Sequence, residues 1–421
     1  MPRPLAALYT LLWLALSCVE LASQEIRLVR APDGSRFVLV PTGGPPVVHW
    51  VSLLPAGVKQ DPPGLEGIST ALARASLSGT STLGSENPLK EEQAIARARS
   101  LARQLANDTK NPALRALFAQ AQAEVRRLAR PLAWEKALRR APASGSRLLS
   151  VPGGVLLRVT TTTRGLRRVA ELLKDRRDHA LLRGVHGHFD QVRRERKSRF
   201  DLDPRTGLRR RLLEMVFKDH CFKRFHALGQ PRSLTFEVAA NLYRQLSDPG
   251  RLGHVLTGGF DIDTVEAILK QIYEHAPEVP PKVEPPQTAK DRSPNQKAAS
   301  EVRDTLALGC AIPKTISAQD LVVFVMWLAG DQDSYLADAL RARGHPRVIV
   351  RGTAPFPDPG GVLLVEITKP GAKLGAHSKI RKDLEDVLRK AMEQAPEAEQ
   401  LARAHSRFLA SRARALASPG A

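Results

Sequence analysis

Cysteine is scarce. Three in 421 residues exclude a disulfide-dense scaffold, and no C-x-x-C pair exists for a zinc ribbon. Aromatic residues make up only 5% and none interleave with the basic run Arg193–Arg199, so stacking of nucleic-acid bases there has no support. Acidic residues are in deficit, 43 against 64 Lys and Arg, which leaves a formal charge of +21. That excess favours anionic partners: nucleic acid, an acidic membrane surface or acidic protein segments. No G-x-S-x-G elbow occurs, and Val151-Pro152-Gly153-Gly154 has no Lys-Ser/Thr after it. It reads as a hairpin turn and not as a phosphate loop. Neither H-x-x-E-H nor H-E-x-x-H occurs anywhere in the chain.

Long apolar runs are also missing, except near the start. Leu5–Ser17 is uncharged and mostly apolar, too short to span a bilayer as a helix. With Arg3 before it and small residues after it, residues 1–23 read as an export signal. Three readings of this stretch stay open. Cys18 follows Ala15-Leu16-Ser17 in a near match to a lipoprotein signal, which implies a lipid anchor through Cys18. Ordinary cleavage near Ala22 or Ser23 is the second reading, and a short buried helix is the third. Export to the periplasm or cell envelope is the expectation. It argues against a nucleic-acid partner and leaves a membrane surface open.

What is present is a soluble-type composition, 43% hydrophobic and 25% charged, long enough for more than one domain. Residues 26–54 alternate as three strands broken at Pro32-Asp33-Gly34-Ser35 and at Thr42–Pro46. Gly64–Leu77 reads as a helix, and residues 89–140 as a helical hairpin broken near Asn107–Pro112. Two strands are expected in Leu148–Thr163. Helices follow at Leu166–Lys174, at the basic Ala180–Phe200, at Gly207–Ala227 and at Phe236–Leu246. A strand at Gly253–Thr257 and a helix at Thr264–His275 close this part. Pro277–Ser300 is a Pro-rich linker. Beyond it strands are expected at Leu306–Ile312, Arg347–Val350 and Val362–Thr368, with helices at Ala318–Leu328 and Ser334–Arg341 and two more at the end. The predicted class is α+β. Two similar domains, 24–276 and 301–421, each carry a mostly antiparallel sheet packed with helices, and the C-terminal one is short by comparison.

Three segments carry a family resemblance. Leu54-Pro55-Ala56-Gly57-Val58-Lys59-Gln60-Asp61-Pro62-Pro63-Gly64-Leu65-Glu66-Gly67-Ile68, running on to Gly79-Thr80, resembles the active-site strand, turn and helix of the pitrilysin/insulinase metallopeptidases. Asp190–Arg196 resembles that family's long helix, and Val255–Asp261 the strand and turn that close its first domain. The resemblance implies a zinc helix bearing H-x-x-E-H, with a distant Glu as third ligand. Two His four apart on one helix face hold the ion, and the intervening Glu takes a proton from its bound water. Counting from Gly67 to Gly79 places Thr70 at the first His, Ala73 at the base and Arg74 at the second His. Glu195 alone keeps its type, as the remnant ligand position. Thr is a poor zinc ligand, Ala accepts no proton and Arg is a permanent cation.

The resemblance therefore implies a dismantled site, with zinc lost and no catalytic residue. An Arg74–Glu195 salt bridge would stand in for the metal; a solvated Arg74, with Glu195 paired to Arg194 or Arg199, is the alternative. The family's substrate-positioning Arg falls at Arg341, and no Tyr follows it. The expected function is that of a non-catalytic partner subunit or peptide-binding component for an active zinc peptidase of that family, holding peptide or unfolded protein segments. A zinc endopeptidase with a rearranged site, and an envelope protein binding anionic lipid, are the alternatives. Lesser features are His186 with Asp190, Asp219-His220-Cys221 with His226, a Cys221–Cys310 disulfide and the basic run Arg193–Arg199. The first is more often a solvated helix face than a metal site, the second more often a buried Cys with surface His, and the last more often a solvated face than an anion site.

Overall fold

The computed structural model describes residues 26–417 apart from 56, 58–60, 109, 131, 152–153, 218–220, 225–226, 231–233, 276–296, 303–304, 312–317, 331–333, 354–361, 372–377 and 394–395. The expected export signal with Cys18, most of the Pro-rich linker, and Asp219, His220 and His226 lie outside the described residues. So do the side chains of Cys221 and Cys310.

The elements run β1 (Arg27–Arg30), β2 (Arg36–Pro41), β3 (Val47–Leu54), α1 (Ile68–Ser76), α2 (Pro88–Asn107), α3 (Pro112–Leu128), α4 (Ala133–Arg140), β4 (Arg147–Val151), β5 (Gly154–Thr162), α5 (Leu166–His179), α6 (Val185–Leu202) and α7 (Pro204–Val216). A 3-10 turn at Cys221–Arg224 comes next. Then come α8 (Phe236–Leu246), β6 (Gly253–Gly258), α9 (Ile262–Ile272), β7 (Lys297–Val302), β8 (Thr305–Ala311), α10 (Ala318–Ala329), α11 (Tyr335–Ala342), β9 (Ile349–Thr353), β10 (Val362–Thr368), α12 (Ser378–Glu393) and α13 (Ala398–Ala417). The expected break in the 89–140 hairpin is real and becomes two. Asn87 and Asn111 cap α2 and α3 through their side chains, each with Pro at the first helical position.

Two compact units form, each α+β as expected. The first gathers residues within 26–60, 67–190 and 230–284 around a six-stranded sheet of order β1-β2-β6-β3-β5-β4, antiparallel except for the β2–β6 pair. Alternation along β2, β3, β5 and β6 sends Phe37, Leu39, Val48, Trp50, Leu157, Val159 and Leu256 to one face. There they pack with Leu166, Val169 and Leu173 of α5 and Val265 and Leu269 of α9. The second unit gathers residues within 61–66, 191–229 and 285–417 around an antiparallel sheet of order β7-β8-β10-β9. Helix α7 lies on β7 and β8. A Cβ on Gly309 would come 2.8 Å from Val216 Cγ2, and Arg209 grips the buried Glu366 of β10 with bonds of 2.5 and 2.7 Å. That contact groups α7 with the later strands, although it precedes the Pro-rich linker in the chain. Among the described residues no helix is long and apolar enough to cross a membrane.

A buried histidine sits inside the first core. His254 of β6 is buried and stacks on Phe37 with ring centroids 4.8 Å apart. Its Nδ1 accepts from Trp50 Nε1 at 3.3 Å and lies 2.9 Å from Ser52 Oγ. Indole N–H only donates, so Nδ1 is unprotonated and the neutral ring carries its hydrogen on Nε2. Burial first, then the Arg177 and Arg176 cations, hold its pKa down to about 3. The unfolded chain protonates this histidine first as pH falls, near its ordinary value of ~6.5. Its contribution is therefore fully present above about pH 6.5 and drains away as pH falls towards about 3, by up to ~1.4 kcal/mol per pH unit. Urea unfolding between pH 7 and 4 should show this slope, and His254→Gln should flatten it. An unchanged slope in the variant would remove His254 as its source.

Candidate functional site

The turn that precedes α1 is built from backbone the helix cannot use. Leu65 N–H donates to Pro62 O at 2.9 Å and Gly64 N–H to Glu66 Oε1 at 3.0 Å. Gly64 and Gly67 stand at φ of 83° and 97°, where a side chain would be strained. The helix therefore starts at Ile68 and not at Gly64, where the pattern places it. Arg224 closes the turn, donating to Asp61 O at 3.0 Å and Glu66 Oε1 at 3.2 Å.

Helix α1 is short and almost wholly buried. Thr70 is 8% exposed and Ala73 is 0% exposed. The Thr70 hydroxyl lies 3.1 Å from Ser150 Oγ on β4, so this oxygen is engaged in a hydroxyl pair with the sheet. Ala73 offers a methyl to the core, and its carbonyl accepts from Ser76 Oγ at 2.8 Å. Arg74, half-buried, shares a face with Thr70 four residues earlier. Thr70, Ala73 and Arg74 thus present a committed hydroxyl, a buried methyl and a cation.

Arg74 acts on a residue the sequence did not tie to it. His188 of α6 lies 3.1 Å from Ser78 Oγ through Nε2. Burial, and secondly the Arg74 charge, lower its pKa below the ordinary histidine value. The signal was present in the spacing: His188 stands seven residues, two turns, before Glu195 on one helix. What positions His188 is the clamp at the start of α6. Arg183, buried, binds Glu91 of α2 through both Nε and Nη2, the latter at 2.7 Å. It also donates to Ser78 O at 2.9 Å and Thr80 O at 3.4 Å. Gly79, at φ 131°, makes room for it; a Cβ there would fall 1.7 Å from Arg183 Nη1.

Glu195 lies further along α6, among the residues of the second unit, half-buried and accepting from Gln191 Nε2 at 3.0 Å. Arg341 ends α11 with Nη2 3.3 Å from Asp338 Oδ1, three residues back on its own helix. Its neighbours do the structural work: Arg343 binds Asp386 at 2.5 Å and His345 lies 2.9 Å from Asp383. Arg343, then Arg389, hold Asp386 down to about 2. His186 and Asp190 face each other electrostatically, and burial lowers the His186 pKa against Asp190. Among the described residues no group of three or more His, Cys, Asp or Glu converges as a metal site.

A catalytic zinc needs three neutral or anionic ligands and an open position. The α1 donor set does not fit one, because its hydroxyl already pairs with Ser150 and its second ligand position is cationic. These side chains support no hydrolytic step through a metal.

Two expectations follow. Arg74→Met should raise the His188 pKa towards the ordinary histidine value without reaching it, since burial persists. NMR titration of the imidazole reads this, and an unmoved pKa contradicts the assigned influence of Arg74. Gly79→Ala should cost at least about 2 kcal/mol, because positive φ is strained and the buried Arg183–Glu91 pair must shift. Urea unfolding measures it; a loss below about 0.5 kcal/mol contradicts the close approach.

No family model and no curated protein matches the sequence. Solved structures match its fold. A protease from Helicobacter pylori is 16% identical, with a TM-score of 0.68 over 94% of this chain and 86% of that one. A peptidase M16 inactive domain from Pseudomonas fluorescens is 13% identical, with a TM-score of 0.60 over 94% of this chain and 84% of that one. Pitrilysin is 11% identical, with a TM-score of 0.56 over 90% of this chain but only 38% of its own length. The chain thus has the fold of the M16-like peptidases, and the pitrilysin/insulinase resemblance of the sequence holds at the level of fold.

Proposed function

We propose that this chain is a non-catalytic, exported M16-like protein that holds peptide or unfolded protein segments, as the partner subunit of an active zinc peptidase of the same fold. The observation that carries the reading is the set of roles taken by Thr70, Ala73 and Arg74. The first is hydrogen-bonded to Ser150, the second is a fully buried methyl, and the third exerts its charge on His188. A general base and two imidazole ligands are missing from one helical turn at once. One solved neighbour is itself described as an inactive domain, which makes a non-catalytic member of this fold precedented. Zinc has no place in the proposed role, and Glu195 is read as a remnant. The charge of +21 favours acidic segments as the bound material.

Zinc content and peptide turnover of the isolated protein, measured together with fluorescence anisotropy of a labelled acidic, unstructured peptide, test the reading. The expected result is less than about 0.1 zinc per chain, no cleavage, and binding that weakens several-fold between about 50 and 300 mM salt. One tightly held zinc per chain with turnover overturns the non-catalytic reading. Absence of peptide binding, with salt-sensitive binding to anionic liposomes instead, overturns the peptide role in favour of a lipid surface.

A further inference from the structure

In the first unit, a cavity of about 330 Å³ opens between α2, α3, the start of α6 and the first turn of α8. Its walls are apolar: Ile95 of α2, Phe118 and Val125 of α3, Leu182 and Val185 beside α6, and Phe236 of α8. Into this lining Arg99 brings a guanidinium, centred 3.5 Å over the Phe236 ring. Its Nε is buried and has no hydrogen-bond partner among the described residues. Glu237 and Glu92 act on Arg99 only as nearby charges, and Glu237 is taken by Arg103 at 2.5 Å.

Arg126 adds a second cation to the lining. Arg183 also borders it, with its charge held by Glu91. His186 borders the cavity as a neutral group, its pKa lowered by burial. The amides of His186 and Gly187 lie in the first turn of α6, ahead of any helical carbonyl that could accept them.

The two halves of this lining ask for different chemistry at once. The half-buried Arg99 guanidinium has no hydrogen-bonded carboxylate among the described residues, and an apolar ligand would cover it without supplying one. An inorganic anion would satisfy Arg99 and leave the Phe118, Val125 and Phe236 surface uncovered. A molecule with an apolar body and one carboxylate satisfies both, and the volume, at the small end of ligand pockets, limits it to a modest size. Guanidinium and carboxylate also match in geometry.

We propose that this cavity binds a small amphipathic carboxylate, with its carboxylate on Arg99 and its aliphatic or aromatic body against Phe118, Val125 and Phe236. A free medium-chain acid and the C-terminal residue of an apolar-ended peptide present the same chemistry. The site is separate from the Thr70–Arg74 helix turn and does not depend on the partner-subunit reading.

Calorimetric titration of the full-length protein tests it, with octanoate, octanol, and N-acetyl-Ala-Leu as free acid and as amide. Octanoate should bind one per chain, with octanol about tenfold weaker or worse. Arg99→Met, which keeps the stem over Phe236, should weaken octanoate about tenfold or more. Ala102→Phe, which fills the cavity, should abolish binding, with near-UV circular dichroism of both variants unchanged. Tighter binding of the dipeptide acid than of octanoate, lost in its amide, identifies a peptide C-terminus as the source. The reverse order identifies a free acid. Equal affinity for octanol and octanoate, undiminished binding by either variant, or no binding at about 10 mM octanoate overturns the proposal.

Discussion

Arg74 places a permanent positive charge on the face of α1 that it shares with Thr70, and this sets the chemistry of the whole turn, including its resistance to any cation. At about 4 Å and an effective dielectric near 20, two unit charges repel by about 4 kcal/mol, and a divalent ion by about twice that. A hydroxyl such as Thr70, already paired with Ser150, offers no comparable attraction. The same charge reaches His188 and helps keep that imidazole neutral. The side chain therefore does more than occupy space, because it makes the local field positive.

The chain's excess of arginine makes burial of guanidinium groups a recurrent problem, and most are solved with carboxylates. Arg177 binds Asp33 and Asp178, Arg183 binds Glu91 with two backbone carbonyls, and Arg209 binds Glu366. Each links segments distant in the chain, and each is costly to break from one side only. Arg176 is different. It is 4% exposed, with Nε and Nη1 unpartnered among the described residues and the Tyr243 and Tyr273 phenols as its electrostatic neighbours. Burial lowers its pKa, and its charge adds to that of Arg177 in keeping His254 neutral. Burial first, and this basic interior second, hold His254 neutral in the first core.

Much of the fold was legible because it rests on local signals. The strand-type runs Phe37–Val40 and Val47–Leu53, the break near Asn107–Pro112 and the helix at Phe236–Leu246 all fall where the pattern puts them. Boundaries were missed where glycine geometry overrides pattern, as at Gly67, whose positive φ delays α1. The chain expected as one helix over Gly207–Ala227 starts earlier and ends at Val216, where Phe217 leaves helical geometry. The sheet that α7 covers was not legible, since packing against β7 and β8 is a long-range fact that no local period encodes. Thr70, Ala73 and Arg74 were legible as residue types. The Ser150 hydroxyl, the His188 imidazole and the Arg99 cavity were not, because each arises where distant segments meet.

The placement of α1 in the first unit has a local explanation. Helix α1 is fixed by contacts that ask nothing of an ion. Its apolar residues are buried, Thr70 pairs with β4, Ser76 bonds back to Ala73, and Arg183 grips the carbonyl of Ser78 just beyond the helix end. A buried nine-residue helix held this way needs no ion to stay in place. The fold likeness to M16-like peptidases is carried by sheet order and core, and the chemistry of residues 70–74 by the three side chains themselves.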